Sequence, residues 1–223
     1  MAESISIVIP AYDEEELIGP LLSRLREIFP EAELIVADGG SVDETAGIAR
    51  RFAAVVRSPK GRAVQMNAGA RASSGEILWF LHADCRPSER SCDLIRAALR
   101  DPDVVGGAFR WGLDGGRWYY GAFTAIAHAM NKIGRNLYGD MGLFIRRSVF
   151  FELGGYAEIP IFEEVELNKR LKARGKTVIL DEVLLSSDRK LAAQGPLRAF
   201  MKNHVLKTAY RLGFSPQYLR RFY

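Results

Sequence analysis

Residues 76–84 read EILWFLHAD. Five consecutive apolar residues, Ile77 to Leu81, leave this segment no polar face. A strand covered on both sides in a parallel sheet has that pattern, whereas an antiparallel strand with one wet face alternates. The run closes on His82 and Asp84, so a buried strand is expected to deliver two polar groups to one edge of a sheet.

Upstream, the segments alternate. Ser4 to Pro10 (SISIVIP) is a β-branched run, and the stretch after it places Leu17, Leu21, Leu22, Leu25, Ile28 and Phe29 at helical spacing. Three glutamates fill that helix's first turn, where its dipole favours negative charge, and Pro30 ends it. ELIVAD (Glu33 to Asp38) predicts a second strand. Ser41 and Glu44 have capping-box spacing and predict a helix reaching Phe52. Ala54 to Arg57 predicts a third strand, and Ala63 to Ser73 a helix broken by Gly75. The order β-α-β-α-β-α-β predicts an α/β fold, a doubly wound and mostly parallel sheet with helices on both faces.

Downstream the pattern is mixed. Helices are expected at Ser91 to Leu99, Trp118 to Leu137 and Glu163 to Arg174, and strands at Val104 to Trp111, Leu143 to Arg146 and Thr177 to Leu180. No internal repeat or low-complexity linker interrupts the 223 residues, which are expected to form one domain. With 48% hydrophobic and 26% charged residues, the composition excludes disordered and collagen-like classes. Cys85 and Cys92 form no CxxC pair, and acids stand where a signal peptide needs basic residues. Reduced thiols and a cytoplasmic location are therefore expected. No apolar run approaches the ~20 residues of a spanning helix.

The net charge of +4 is unevenly spread. Residues 187–223 hold eight Lys/Arg and one acid, a net +7, which leaves −3 on the rest. Within Pro196 to Leu212, Leu197, Phe200, Met201, Val205, Ala209 and Leu212 form an apolar stripe, with Arg198, Lys202, Lys207 and Arg211 mostly off it. Two uses fit this stripe: packing on the domain, or peripheral contact with a membrane through a basic amphipathic helix. No aromatic-basic platform accompanies the charge, so nucleic acid is not an expected partner.

Ligands of open α/β sheets bind at the carboxyl ends of the strands. Three strand ends bear carboxylates: Pro10-Ala11-Tyr12-Asp13-Glu14, Asp38-Gly39-Gly40-Ser41, and His82-Ala83-Asp84. Neither GxxxxGK[ST] nor GxGxxG is present, so phosphate charge must be met by a divalent metal and by Lys60, Arg62 and Arg189. Asp84 is a hard oxygen donor suited to Mn²⁺ or Mg²⁺ beside a diphosphate. Asp140, in YGDMGLF, is a candidate acceptor- or sugar-binding group. Glu163, Glu164 and Glu166 crowd one helix N-terminus, where either the dipole or catalysis accounts for them.

IVIPAYDEEELIGPLLSRL, IVADGGSVDET, KGRAVQMNAGARASSGEILWFLHADC, GLFIRRSVFFELGGY and EEVELNKRLKARGK, in this order, resemble the family 2 glycosyltransferases of GT-A fold. LLSSDRK and the LHADC and YGDMGLF variants are similar to a small soluble bacterial subgroup. The resemblance implies a nucleotide-binding half over residues 1–100, an acceptor half over 101–186 and a basic helical tail over 187–223. It implies inverting, metal-dependent transfer of a sugar from a UDP- or GDP-type donor to an acceptor hydroxyl.

By position, Pro10, Ala11 and Tyr12 would line the nucleotide pocket and Glu14 would meet the ribose or base. Asp38 would bond the base edge, and Arg62 and Arg189 would lie near the phosphates. Asp84 would hold the metal, with His82 where the family has its first Asp, and Glu164 would be the catalytic base where the family has Asp. Two other functions stay open at this point. A nucleotidyltransferase has a similar sheet but normally a basic Gly-rich loop where DEEE stands here. A non-catalytic nucleotide-sugar binder would follow if His82 abolished metal affinity.

Overall fold

The computed structural model describes residues 3–115, 117–188 and 195–223. Its first half alternates as expected: β1 (Ile5–Ala11), α1 (Glu15–Ile28), β2 (Glu33–Asp38), α2 (Thr45–Ala49), β3 (Ala54–Arg57), α3 (Arg62–Ala72) and β4 (Ile77–Phe80). The second half adds β5 (Cys85–Arg86), α4 (Ser91–Ala98), β6 (Val104–Asp114), α5 (Tyr120–Gly134), β7 (Phe144–Arg146), α6 (Arg147–Glu152), α7 (Glu163–Arg174), β8 (Lys176–Ser187), α8 (Pro196–Arg211) and α9 (Pro216–Leu219). One eight-stranded sheet joins both halves in the order β3-β2-β1-β4-β7-β6-β8-β5. Four of its pairings are parallel and three antiparallel, the antiparallel ones all in the second half's β7 and β5.

β4 lies at the centre, between β1 and β7, as its apolar run requires. Its residues alternate between two covered faces. Ile77 and Trp79 join Ile5, Ile7 and Ile9 of β1 against Ile18, Leu22 and Leu25 of α1. Leu78 and Phe80 join Val8 against Met66 of α3, Phe150 of α6 and Leu167 and Leu171 of α7. Trp79 is fully buried, its ring centroid 5.9 Å from that of Phe29 and 5.5 Å from that of Phe109. Truncating such a side chain to alanine costs about 3–5 kcal/mol, so this strand anchors the sheet as well as the site.

Several boundaries differ from those the sequence suggests, for local reasons. β4 stops at Phe80: the Cys85 N–H donates to the His82 carbonyl and closes a turn, after which β5 pairs antiparallel with β8. His82 and Asp84 therefore stand on a turn beyond the strand. β8 continues past Leu180 to Ser187, because β6 supplies a parallel partner along its length, with a bulge between Phe109 and Arg110. α2 starts at Thr45 instead of Ser41. The Ser41 hydroxyl caps nothing in its own helix and accepts the Asp13 N–H at 3.0 Å. α6 carried no periodicity signal in six residues.

The tail differs too. Met201, Val205 and Leu212 of the expected stripe are exposed. Among the described side chains of α8, Leu206 is the buried one; with Leu219 it packs on Ile161 and Phe162, flanked by Ala209 and Tyr210. Of the expected stripe, Ala209 is thus on the packed side, and the side chains of Leu197 and Phe200 lie outside the described residues.

Candidate active site

The ends of β1 and β2 are stitched into one rim. Asp13 sits at φ 51°, a left-handed conformation that turns the chain sharply after Tyr12. Its carboxylate accepts the Val42 N–H at 2.9 Å, and the Thr45 hydroxyl accepts the Glu14 N–H at 2.8 Å. Asp38 is buried, and its two oxygens accept the N–H groups of Gly40 and Ser41 at 3.3 and 3.2 Å. A carboxylate has four lone-pair sites, so acceptor capacity remains for a ligand. From beneath, the buried Gln65 amide donates to Ala11 O at 2.7 Å and Ala37 O at 2.9 Å, tying α3 to both strand ends. The Lys60 ammonium lies 3.4 Å from the centre of the Tyr12 ring, a cation–π contact at the mouth of this rim.

The other rim is made of charges. α7 begins after Phe162, itself at φ 69°, and sets Glu163 and Glu164 in its first turn. Arg62, at the start of α3, reaches both: its guanidinium is 3.4 Å from Glu163 Oε1 and 3.1 Å from Glu164 Oε1. Burial, followed by the charge of Glu164, pushes the Glu163 carboxyl up to about 7 against the pull of Arg62. A Cβ on Gly139 would come within 2.5 Å of Glu164 Oε1 and 3.0 Å of His82 Nε2. The bare Gly139 backbone therefore leaves room for both His82, on the turn after β4, and Glu164, in the first turn of α7.

Asp140 follows, its carboxyl pushed up to about 6 by burial, with Lys207 opposing and Glu164 reinforcing the shift. Lys207 arrives from α8, 3.6 Å above the Tyr138 ring. Burial depresses its pKa, while the nearby charges of Asp140 and Glu164 act the other way. Tyr223 also lies within electrostatic reach of Arg62, Glu164 and Glu163, and Phe162 stacks on Tyr210 at 5.2 Å. The fully buried Tyr156 sits near the same three groups. Its backbone is fixed by Asn67, which donates to Tyr156 O and accepts from Tyr156 N, both at 2.9 Å.

The expected residues thus fall into two sets. Pro10, Ala11, Tyr12, Glu14 and Asp38 share the first rim. Arg62, His82, Glu164 and Asp140 converge on the second, with Arg62 on the α7 carboxylates. Asp84 is two residues beyond His82, where its carbonyl accepts the Ser187 N–H at 3.2 Å. Arg189 lies outside the described residues. The sequence reading gives no role to Gln65, Asn67 or Tyr156, although they lie inside the segments that carry the family resemblance, reads Lys207 only as a basic residue of the tail, and does not mark Tyr223. Polar residues on α3 at Gln65 and Asn67, inside an otherwise alanine-rich helix, are the one available signal.

Among the described residues no three His, Cys, Asp or Glu side chains group closely enough to hold a cation alone. The carboxylate of Asp84 instead suits an ion that a diphosphate helps to hold, since Mg²⁺-type ions are commonly bound through one or two carboxylates plus substrate phosphates. Asp84 thus fits Mn²⁺ or Mg²⁺, and the imidazole of His82 fits Mn²⁺ better than Mg²⁺.

Comparison with known proteins gives the family and the fold. Residues 6–153 match the model of Glycosyl transferase family 2, and the chain belongs to that family. It is 30% identical to glycosyltransferase AglE of Haloferax volcanii over 94% of this chain and 71% of that one. It is also 30% identical to an undecaprenyl-phosphate 4-deoxy-4-formamido-L-arabinose transferase of Proteus mirabilis, over 64% of this chain and 48% of the relative, so it spans about half that protein's length. Its GT-A fold is shared with the mannosyltransferase PcManGT of Pyrobaculum calidifontis, solved with GDP-Man and Mn²⁺ (TM-score 0.70, 19% identity, 97% of this chain and 67% of that one). TarS of S. aureus, solved with UDP, has a TM-score of 0.68 at 15% identity, over 82% of this chain and 60% of that one.

Proposed function

We propose that residues 1–223 act as one GT-A unit that moves a sugar from a UDP- or GDP-type donor to an acceptor hydroxyl, with inversion, using Mn²⁺ or Mg²⁺. The observation that carries this reading is that Glu164 and His82 both lie against Gly139, at the carboxyl edge of the parallel strands. One carboxylate and one cation site, side by side, suffice for a single in-line displacement.

Pro10, Ala11, Tyr12, Glu14 and Asp38 bind the nucleoside, Asp38 through its remaining lone pairs. Asp84 and His82 hold the metal with the diphosphate; when bound, it stabilises the charge of the leaving nucleoside diphosphate. Glu164 takes the acceptor hydroxyl's proton as the new C–O bond forms at the anomeric carbon. Arg62, bonded to Oε1, orients this carboxylate and leaves Oε2 for the proton. Asp140 and Lys207 border the acceptor side, and Arg189 is assigned to the diphosphate. The neighbours solved with GDP-Man and Mn²⁺ or with UDP support the donor class.

Calorimetry with UDP and GDP, each with and without Mn²⁺, tests this. Metal-dependent binding of one nucleotide, lost in Asp84→Ala with the fold intact, is expected. Equal binding by Asp84→Ala would remove the metal assignment.

A further inference from the structure

α5 is inside out. Its inner side, against β6, carries polar and aromatic groups. Tyr120 and Thr124 are buried, and Phe123, His128 and Asn131 are partly buried. The Tyr120 hydroxyl donates to Asp188 at 2.8 Å, the Thr124 hydroxyl to the Tyr120 carbonyl at 2.9 Å, and the Asn131 amide to Met141 Sδ at 3.6 Å. Its outer side holds Ala122, Ala125, Ile126, Ala129, Met130 and Ile133, all exposed and spaced as one helical stripe. Ile126 is 60% and Ile133 87% exposed, and Trp118, just before the helix, is 92% exposed. A helix in water has the opposite polarity, so this stripe is made for a cover.

Charge selects the cover. α5 contains no acid. Arg117 precedes it, and at its other end a surface depression is lined by Lys132, Arg135 and residues 177–179. Arg135 and Arg211 both lie close enough to Lys172 to lower its pKa alongside burial, which extends the basic zone towards α8. Two acids adjoin the helix: Asp181, 3.6 Å from Lys132, and Asp188, held by Tyr120. Against a second copy of the chain, antiparallel pairing of these stripes would set Arg117 against Lys132 and Arg135, while the two adjoining acids are already engaged by Lys132 and Tyr120. An apolar stripe with an aromatic at one end and cations at both matches a bilayer interface.

We propose that α5 docks the protein on an anionic phospholipid surface, with the stripe and Trp118 in the headgroup–acyl boundary and Lys132 and Arg135 on lipid phosphate. Four residues separate the end of α5 from Gly139, so the docked face would adjoin the acceptor side of the carboxylate rim. The docking needs neither nucleotide nor metal and stands apart from the transferase reading.

Co-sedimentation of the full chain with phosphatidylcholine vesicles, with and without phosphatidylglycerol and at low and high salt, tests it. Binding to the anionic vesicles is expected, weakened by salt and reduced about tenfold or more in Ile126→Ser/Ile133→Ser, with the melting temperature unchanged. Lys132→Ser/Arg135→Ser should lose the preference for phosphatidylglycerol. Val205→Ser/Leu212→Ser, on α8 and just after it, should bind as the parent does. No sedimentation of the parent, loss on the α8 variant instead, or undiminished binding by the α5 variant overturns the proposal. So does a dimer in light scattering that Ile126→Ser/Ile133→Ser dissociates, since a second copy would then be the cover.

Discussion

Around the ends of β1 and β2 the polar side chains bond to backbone; around Glu164 they face one another. In the first region Asp13, Asp38, Thr45 and Gln65 each hold N–H or C=O groups of a neighbouring turn. In the second, Arg62, Glu163, Glu164, Asp140 and Lys207 come from four distant segments and interact chiefly as charges. The first rim is held by hydrogen bonds to backbone. The second is responsive, because burial and the neighbouring charges shift the titration of Glu163, Asp140 and Lys207. A pocket that only binds a nucleotide needs the former; a site that moves a proton needs the latter.

The widest separation between the rims should come from Glu164→Gln. Turnover is expected to fall about 10²–10⁴-fold, the range for losing a general base, with nucleotide affinity close to that of the parent. Single-turnover transfer together with nucleotide titration measures both. A comparable loss of affinity would mean that the charged rim also binds the donor, and the division drawn above would fail.

Gln65→Leu probes the other rim. It removes one donor each from the Ala11 and Ala37 carbonyls, of which Ala11 O keeps the Gly39 N–H at 2.9 Å, so the cost is about 0.5–1.5 kcal/mol per lost hydrogen bond. Urea unfolding should show a lower midpoint at an unchanged slope, and nucleotide binding should weaken while the metal dependence persists. An unchanged midpoint would show that water replaces the amide there.

This contrast also explains what was legible in the sequence. β2, β3 and α7 fall where residue patterning puts them, and β4 is central because Ile77 to Leu81 has no polar face. Motif resemblance reaches residues beside strand ends, such as Asp38 and Asp84, because a short local segment builds each turn. It could not reach Lys207, which meets the rim only because α8 crosses there, and it covered Tyr156 without marking its place beside Arg62 and the α7 carboxylates. Periodicity likewise found that α8 is helical and marked a stripe without fixing what covers it: Ala209 packs, Met201 and Val205 are outward, and the inward Leu206 lies off the stripe. The inverted polarity of α5 is invisible in one dimension, because the pattern marks a stripe and not the side it faces.

A smaller effect concerns pH. The folded state holds Glu163 at about 7, above the 4.5 of an ordinary glutamate, so between those values it binds a proton that the unfolded chain has released. Stability must then fall as pH rises through this window. Asp140, at about 6 against 3.8, adds the same sign. Glu163→Gln carries no titrating group and should show a flatter stability profile from about pH 4.5 to 7, read from denaturant midpoints. Parallel profiles in parent and variant would transfer the slope to Asp140 alone.

The smallest expected effect lies at the mouth of the nucleotide rim. Lys60 is exposed and sits over the Tyr12 ring, where an exposed cation–π contact is worth about 0.5–1 kcal/mol. If its role is to hold the Tyr12 ring in place, Lys60→Met should weaken nucleotide binding about two- to fivefold. Tyr12→Leu removes the same contact along with the ring's own packing, so it should cost at least as much. The double variant should then cost less than the sum of the two, because the second change removes a contact already gone. Tyr12→Phe keeps the ring face and should bind like the parent. Calorimetry with a nucleoside diphosphate, compared with the nucleoside alone, separates this from direct phosphate binding. A Lys60→Met loss confined to the diphosphate, and additive with Tyr12→Leu, would make Lys60 a phosphate ligand. The nucleotide rim would then depend on a mobile charge, as the carboxylate rim does.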